Sequence, residues 1–195
     1  MANYRNFALS TYFVAQATCT VTREQLEKDL TFFEKYLRLD RVYLETFRDG
    51  RFASEAQIRM CREVFERHGI HVSGGLTTTM PTPEGDRPKQ RIFSTVCYND
   101  PKMLARLEEV AALNGRLFDE WIIDDFYFTN CTCPACRKGR DEYNRTHGIT
   151  DGSWQAYRSQ LMVDVSRDHI VAPSKRANPA CRVIIKYPNW MESYQ

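Results

Sequence analysis

Two hydrophobic periods alternate along the chain: short apolar runs that suit strands, and stretches with an apolar residue every third or fourth position that suit helices. Residues 7–17 read as a first strand. Thr22 then offers an N-cap with Gln25 at the capping-box position, and Leu26, Leu30, Phe33 and Leu37 share one helical face. A second strand spans 41–47. Ser54 and Gln57 repeat the capping pattern, Ile58, Cys61 and Phe65 form the next stripe, and Gly69 is the expected stop before a third strand at 70–77. A long link, 78–100, holds a short strand-like run at 91–98. Asp100-Pro101 opens another helix with Leu104, Leu107 and Ala111 on its face and Gly115 as its stop. Trp121, Ile122 and Ile123 make a fourth strand, a loop is expected over 129–152, Ser153 opens a helix carrying Tyr157, Leu161 and Val165, and a fifth strand is expected at 182–187.

Strand and helix alternation of this kind fits an open doubly wound sheet or a closed eight-stranded barrel. No Gly-x-Gly-x-x-Gly follows the first strand, where Thr18-Cys19-Thr20-Val21-Thr22 stands. Polar and aromatic residues instead recur at each strand end: Gln16 and Thr18, Glu45 and Arg48, Thr77 and Thr78, Asp124 and Asp125, then Lys186, Tyr187 and Trp190. Catalytic groups drawn from several strands at once are what the carboxyl-end face of a barrel requires. The reading is an α/β chain of (β/α)8 TIM-barrel type, one partial domain over 1–195 cut off after about five strands, with unpaired edges that invite self-association and without activity by itself.

Composition narrows the function classes. With 27 Lys plus Arg against 25 Asp plus Glu, the formal charge of +2 supplies no large field for nucleic acid, and no apolar run approaches the roughly 18 residues of a membrane span. Neither is an expected partner. The compartment stays open: a soluble chain, either cytoplasmic or exported with its leader removed.

Chemistry concentrates where the fourth strand meets Asp124-Asp125-Phe126-Tyr127. Two carboxylates would be costly inside an apolar strand and belong at its open end. Successive strand residues face opposite sides, so both can face the barrel only if the strand ends or bulges between them. A pair this close would raise one pKa, which suits an acid.

Segments Val42-Tyr-Leu-Glu-Thr-Phe-Arg-Asp49, Ile122-Ile-Asp-Asp-Phe-Tyr127 and Val183-Ile-Ile-Lys-Tyr-Pro-Asn-Trp190 resemble the amino-terminal part of barrel glycoside hydrolases, in particular bacterial glycosidase-like proteins. The resemblance implies hydrolysis of an oligosaccharide or glycoside by strand-end carboxylates, with Asp124 or Asp125 at the family position on the fourth strand and no cofactor in catalysis. Glycoside cleavage takes two flanking carboxylates, and Glu45 is the other strand-end candidate. Tyr127, Tyr187 and Trp190 could offer flat faces to sugar C–H groups, and Arg48 and Lys186 could bind hydroxyls or a carboxylate-bearing sugar. A non-catalytic carbohydrate-binding or scaffold barrel is the alternative.

Cys131, Cys133 and Cys136 form a Cys-x-Cys-x-x-Cys cluster. Three thiolates so spaced suit a structural zinc, with Cys97, Cys19 or His147 as the fourth ligand; a disulfide and free thiols are the alternatives. Seven cysteines, an odd number, weigh against a full disulfide framework.

Overall fold

The computed structural model describes residues 6–81 and 91–187. Five parallel strands, β1 (Ser10–Phe13), β2 (Arg41–Arg48), β4 (His71–Leu76), β5 (Glu120–Ile123) and β6 (Arg182–Ile185), stand in the sheet in chain order. The two-residue β3 (Arg51–Phe52) folds back antiparallel on β2. Each new strand is added on the same side, as in a barrel, whereas a doubly wound sheet reverses direction part-way.

One face of that sheet carries the helices. The residues of the five parallel strands packed into the two apolar clusters are Phe13, Val42, Leu44, Val72, Phe47, Leu76, Trp121, Ile123, Val183 and Ile185. The ladder registers put all of them on one side. Helices α2 (Arg23–Phe33), α3 (Glu55–Arg67) and α4 (Pro101–Leu117) supply Leu26, Leu30, Ile58, Phe65, Leu107 and Val110 to these clusters. A doubly wound sheet would be covered on both faces. The fold is therefore α/β of TIM-barrel type, with Tyr12, Tyr43, Glu45, Gly75 and Ile122 on the inner side.

Capping follows the local sequence. Thr22 and Ser54 Oγ atoms accept from the N–H groups of Gln25 and Gln57, each at 3.2 Å, and Asp100 Oδ1 accepts from Lys102 N at 2.9 Å. These are three of the groups a helix start leaves unpaired.

Four expectations are corrected by longer-range contacts. Residues 7–17 do not form one strand: β1 stops at Phe13 and a short helix α1 (Ala15–Thr20) follows. The run 91–98 is not a strand of the sheet. It is a 3-10 turn at Ile92–Ser94 followed by a single antiparallel bridge, Thr79 to Thr95, held by Val96 N–H on Thr78 O at 2.9 Å. Gly115 does not stop α4. It lets the helix touch the backbone of Ser174, where a Cβ would lie 2.6 Å from the carbonyl oxygen. The loop over 129–152 contains α5 (Pro134–Thr146), whose amino end carries Pro134. Then α6 (Gln155–Val165) runs through a π turn, Ser166–Val171, into α7 (Ala172–Ala177). The wider turn immediately precedes Pro173, which has no N–H to continue a regular ladder.

Candidate active site

The carboxyl end of β2 is shaped by a bulge. Glu45 pairs with Gly75 and Phe47 with Leu76, leaving Thr46 as the extra residue. Thr46 Oγ1 donates to Gly75 O at 3.0 Å and accepts from Asn114 Nδ2 at 3.0 Å. The extra residue returns Phe47 to the helix side while Glu45 and Arg48 share the inner face, a re-aiming that bulges commonly perform beside functional sites.

Glu45 is fully buried. Tyr12 OH donates to it at 3.0 Å, Ala15 N–H at 2.6 Å and Arg48 Nη1 at 3.5 Å, and Thr77 Oγ1 makes a fourth, short contact. Burial raises its pKa, and the donors from Thr77, Ala15, Arg48 and Tyr12 oppose that rise. Burial, followed by the Glu45 charge, also pushes the Tyr12 phenol well above its ordinary value, so Tyr12 remains a donor.

Arg48 links this buried carboxylate to the fourth parallel strand, its Nη1 lying 3.7 Å from Asp124 Oδ2. β5 ends at Ile123, and a tight turn follows in which Phe126 N–H donates to Asp124 O at 2.8 Å, an i to i+2 closure. Thr78 Oγ1, two residues past β4, fastens the turn by donating to Phe126 O at 2.8 Å. Because the strand has ended, both acids reach one partner: Lys186 Nζ is 3.1 Å from Asp124 Oδ1 and 3.3 Å from Asp125 Oδ2. The two carboxylates thus meet across an ammonium. Burial pulls the Lys186 pKa down, but the bond to Asp124 and the charges of Asp124 and Asp125 outweigh it and raise the net value.

Glu45, Arg48, Asp124, Asp125 and Lys186 therefore gather at one rim. The aromatics do so less. Tyr127 is buried in the helix-side core, edge-on to Tyr98 with ring centroids 5.7 Å apart, and its hydroxyl is 2.8 Å from Ser166 Oγ. Burial raises its pKa to about 12. Its ring is thus part of the helix-side core. With the exposed Tyr187 it lines a hollow of about 560 Å³ over α6, alongside Met162, Val163 and Val171, which includes none of the rim carboxylates. Trp190 lies outside the described residues. Two rings that sequence reasoning missed lie closer to the acids: the Arg48 guanidinium sits 5.5 Å over Phe126, and Phe93 meets Phe126 edge-on at 5.4 Å. Phe126 adjoins the Asp pair in sequence, the one signal that could have found it. Phe93 and Ser94 adopt φ of 54° and 57°, unusual for residues with a side chain, and no local pattern announces this.

A second cluster is formed by thiols. The sulfurs of Cys97, Cys131, Cys133 and Cys136 are all within 4.8 Å of one another, so Cys97, rather than Cys19 or His147, joins the triplet. Among the described residues no helix is long and apolar enough to cross a membrane.

Comparison with known proteins agrees with this architecture. The family described as "Probable glycosyl hydrolase, catalytic domain" matches residues 1–195. An uncharacterised protein of Saccharolobus solfataricus is 27% identical over 205 residues, covering 97% of this chain. The chain spans 34% of that relative's length. Alpha-L-fucosidase isoenzyme 2 from Paenibacillus thiaminolyticus superposes with a TM-score of 0.58 at 9% identity, over 91% of this chain and 32% of the fucosidase, a likeness of fold.

Proposed function

The chain belongs to the family of probable glycosyl hydrolase catalytic domains, and on that premise we propose that its rim cleaves glycosidic bonds with Asp124 as the carboxylate that meets the sugar. The observation that carries this reading is the position of Asp124 at the end of the fourth parallel strand, between Arg48 and Lys186. A carboxylate flanked by two cations suits the anionic partner, nucleophile or base, and not the proton donor. Asp125 and Glu45 act through their neighbours in this account: Asp125 holds the Lys186 ammonium, and Glu45, with four donors and no exposed surface, positions Arg48. Phe126 and Phe93 supply the apolar face for sugar C–H groups, with Arg48 and Lys186 beside them for hydroxyls.

A specific observation favours the second reading, a carbohydrate-binding or scaffold barrel. Among the described residues the other strand-end carboxylate of the inner face, Glu45, is too enclosed to complete an acid and base pair. Kinetics of the full-length protein on a panel of aryl glycosides and oligosaccharides separates the two. Asp124→Asn is expected to lower kcat by about a thousandfold or more with unchanged folding, because the carboxylate acts in the transition state. Asp125→Asn is expected to weaken turnover less. Full turnover in both full-length variants would remove the assignment, and sugar binding without any turnover by the unsubstituted full-length protein would favour the binding module.

A further inference from the structure

We propose that Cys97, Cys131, Cys133 and Cys136 hold one zinc ion in a closed site of four thiolates, and that this ion clamps the loop entering α4 to the loop entering α5. The inference is independent of the glycosidase reading.

Distances decide for a single ion. Four sulfurs at about 2.3 Å from one zinc stand roughly 3.8 Å apart along each tetrahedral edge. Cys97 Sγ is 3.7 Å from Cys133 Sγ and 3.6 Å from Cys136 Sγ, and the whole set lies within 4.8 Å. A space of that size encloses one ion and no multi-iron cluster. Nearly equal approach to two partners also fails to select one disulfide, since bonded sulfurs are about 2.05 Å apart in an exclusive pair.

The surroundings suit the charge of such a centre. Asn99 Nδ2 donates to Cys136 Sγ at 3.3 Å, and Tyr157 OH, donating to Asn99 Oδ1 at 3.1 Å, holds that amide in orientation. Outer partners of this kind fix metal ligands in place. Tyr157 comes this near because of Gly139, where a Cβ would lie 2.4 Å from its hydroxyl. Cys133 is the N-cap of the 13-residue α5 and Cys136 lies in its first turn, so the positive end of the helix faces the sulfurs. Arg158 adds a cation nearby, donating from Nη2 to Asn130 O at 3.3 Å. Four protein ligands leave no open position for water or substrate, so the role is structural.

The clamp reaches the rim through two links. Cys97 lies three residues before Asp100, the N-cap of α4, and Ile92 N–H donates to Asn130 Oδ1 at 3.1 Å, joining the Phe93 segment to the thiol loop. An ion joining Cys97 to Cys131, Cys133 and Cys136 ties together the two segments that carry Phe93 and Phe126.

The test is metal analysis of the 195-residue chain produced with zinc and purified without chelator. About one zinc per chain is expected. Cobalt replacement should give thiolate charge-transfer absorption and the visible bands of a tetrahedral ion. Cys97→Ser and Cys133→Ser should lose the metal, whereas Cys19→Ser keeps it. If either variant fails to fold, titration of the unsubstituted protein with a mercurial should release one zinc per chain. Amide exchange at Ile92 and Val96 should quicken about tenfold or more on chelation while β2 amides do not change. Metal-free folded protein with freely reactive thiols, a disulfide within the cluster, or bound iron in place of zinc would each overturn the zinc site. Unchanged exchange at Ile92 would overturn the clamp.

Discussion

Gly74 and Gly75 stand side by side in β4 and clear space on opposite faces of the sheet. A Cβ on Gly74 would lie 2.6 Å from the Phe118 ring and 2.7 Å from Asn114 Oδ1, on the helix side. A Cβ on Gly75 would lie 2.9 Å from Tyr12 OH and 3.2 Å from Glu45 Cα, on the inner side. Gly75→Ala is therefore expected to cost about 1–3 kcal/mol, the usual range for overpacking, and to displace Tyr12 from Glu45. Adding Tyr12→Phe removes the closest clashing atom, so the double variant should recover part of the loss in thermal melts, a non-additive result. Gly74→Ala should be at least as destabilising and gain nothing from Tyr12→Phe. Equal melting of Gly75→Ala and the unsubstituted chain would contradict the crowding argument.

Helices α2 and α3 are joined at one end by a histidine. His68, the C-cap of α3, places Nε2 2.8 Å from Glu27 and Nδ1 2.7 Å from Glu34, while Arg67 also reaches Glu27. The hydrogen bond to Glu27 raises the His68 pKa; burial opposes it, and Glu34 adds to the rise. A base whose pKa is higher folded than unfolded contributes stability that is complete below its unfolded value, near 6.5, and is lost as pH climbs through the folded value. The melting temperature should therefore fall as pH rises above about 6.5, and His68→Gln should flatten that segment of the profile. Parallel profiles for the two proteins would show that His68 contributes no such linkage. The α4 and α7 contact is of another kind, made by shape and hydrogen bonding: Trp121 Nε1 donates to Ser174 Oγ at 3.1 Å and Ser174 Oγ to Ala111 O at 2.9 Å, directly against Gly115.

Across the described residues, five parallel strands in chain order carry helices on one side and present a charged, tyrosine-bearing face on the other. At the amino end of that inner side, buried Glu120 pairs with Arg41 and with Arg182, the latter at 2.7 Å, so three strands are joined there as Glu45, Arg48, Asp124 and Lys186 join them at the carboxyl end. Among the described residues β1 and β6 are each bonded on one side, which leaves rows of N–H and C=O groups able to pair with another chain. The 195-residue polypeptide by itself is accordingly expected to self-associate in sedimentation velocity and to show no glycosidase turnover. A sharply melting, active monomer would refute both expectations.

What the sequence determined by itself was local. The caps at Thr22, Ser54 and Asp100, the alternation of strands with helices, and the strand-end placement of Glu45, Arg48, Asp124, Asp125 and Lys186 depend on residues a few positions apart, and all were legible. Pro134 marked the start of α5, but that helix has a polar composition and buries only Cys136 and Asn144, so no apolar stripe announced it. Tertiary structure decided the rest, because the deciding partner was far along the chain. Gly115 continues a helix on account of Ser174, Tyr127 turns inward to Tyr98 and Ser166, and Cys97 joins the thiol triplet from the preceding link. The bulge at Thr46, which places Glu45 and Arg48 on one face, forms against Gly75 and Asn114 and has no signature within β2. Residue type and spacing thus named most of the chemical groups, whereas which of them share a face, and how deeply each is held, depended on contacts that only the folded sheet brings together.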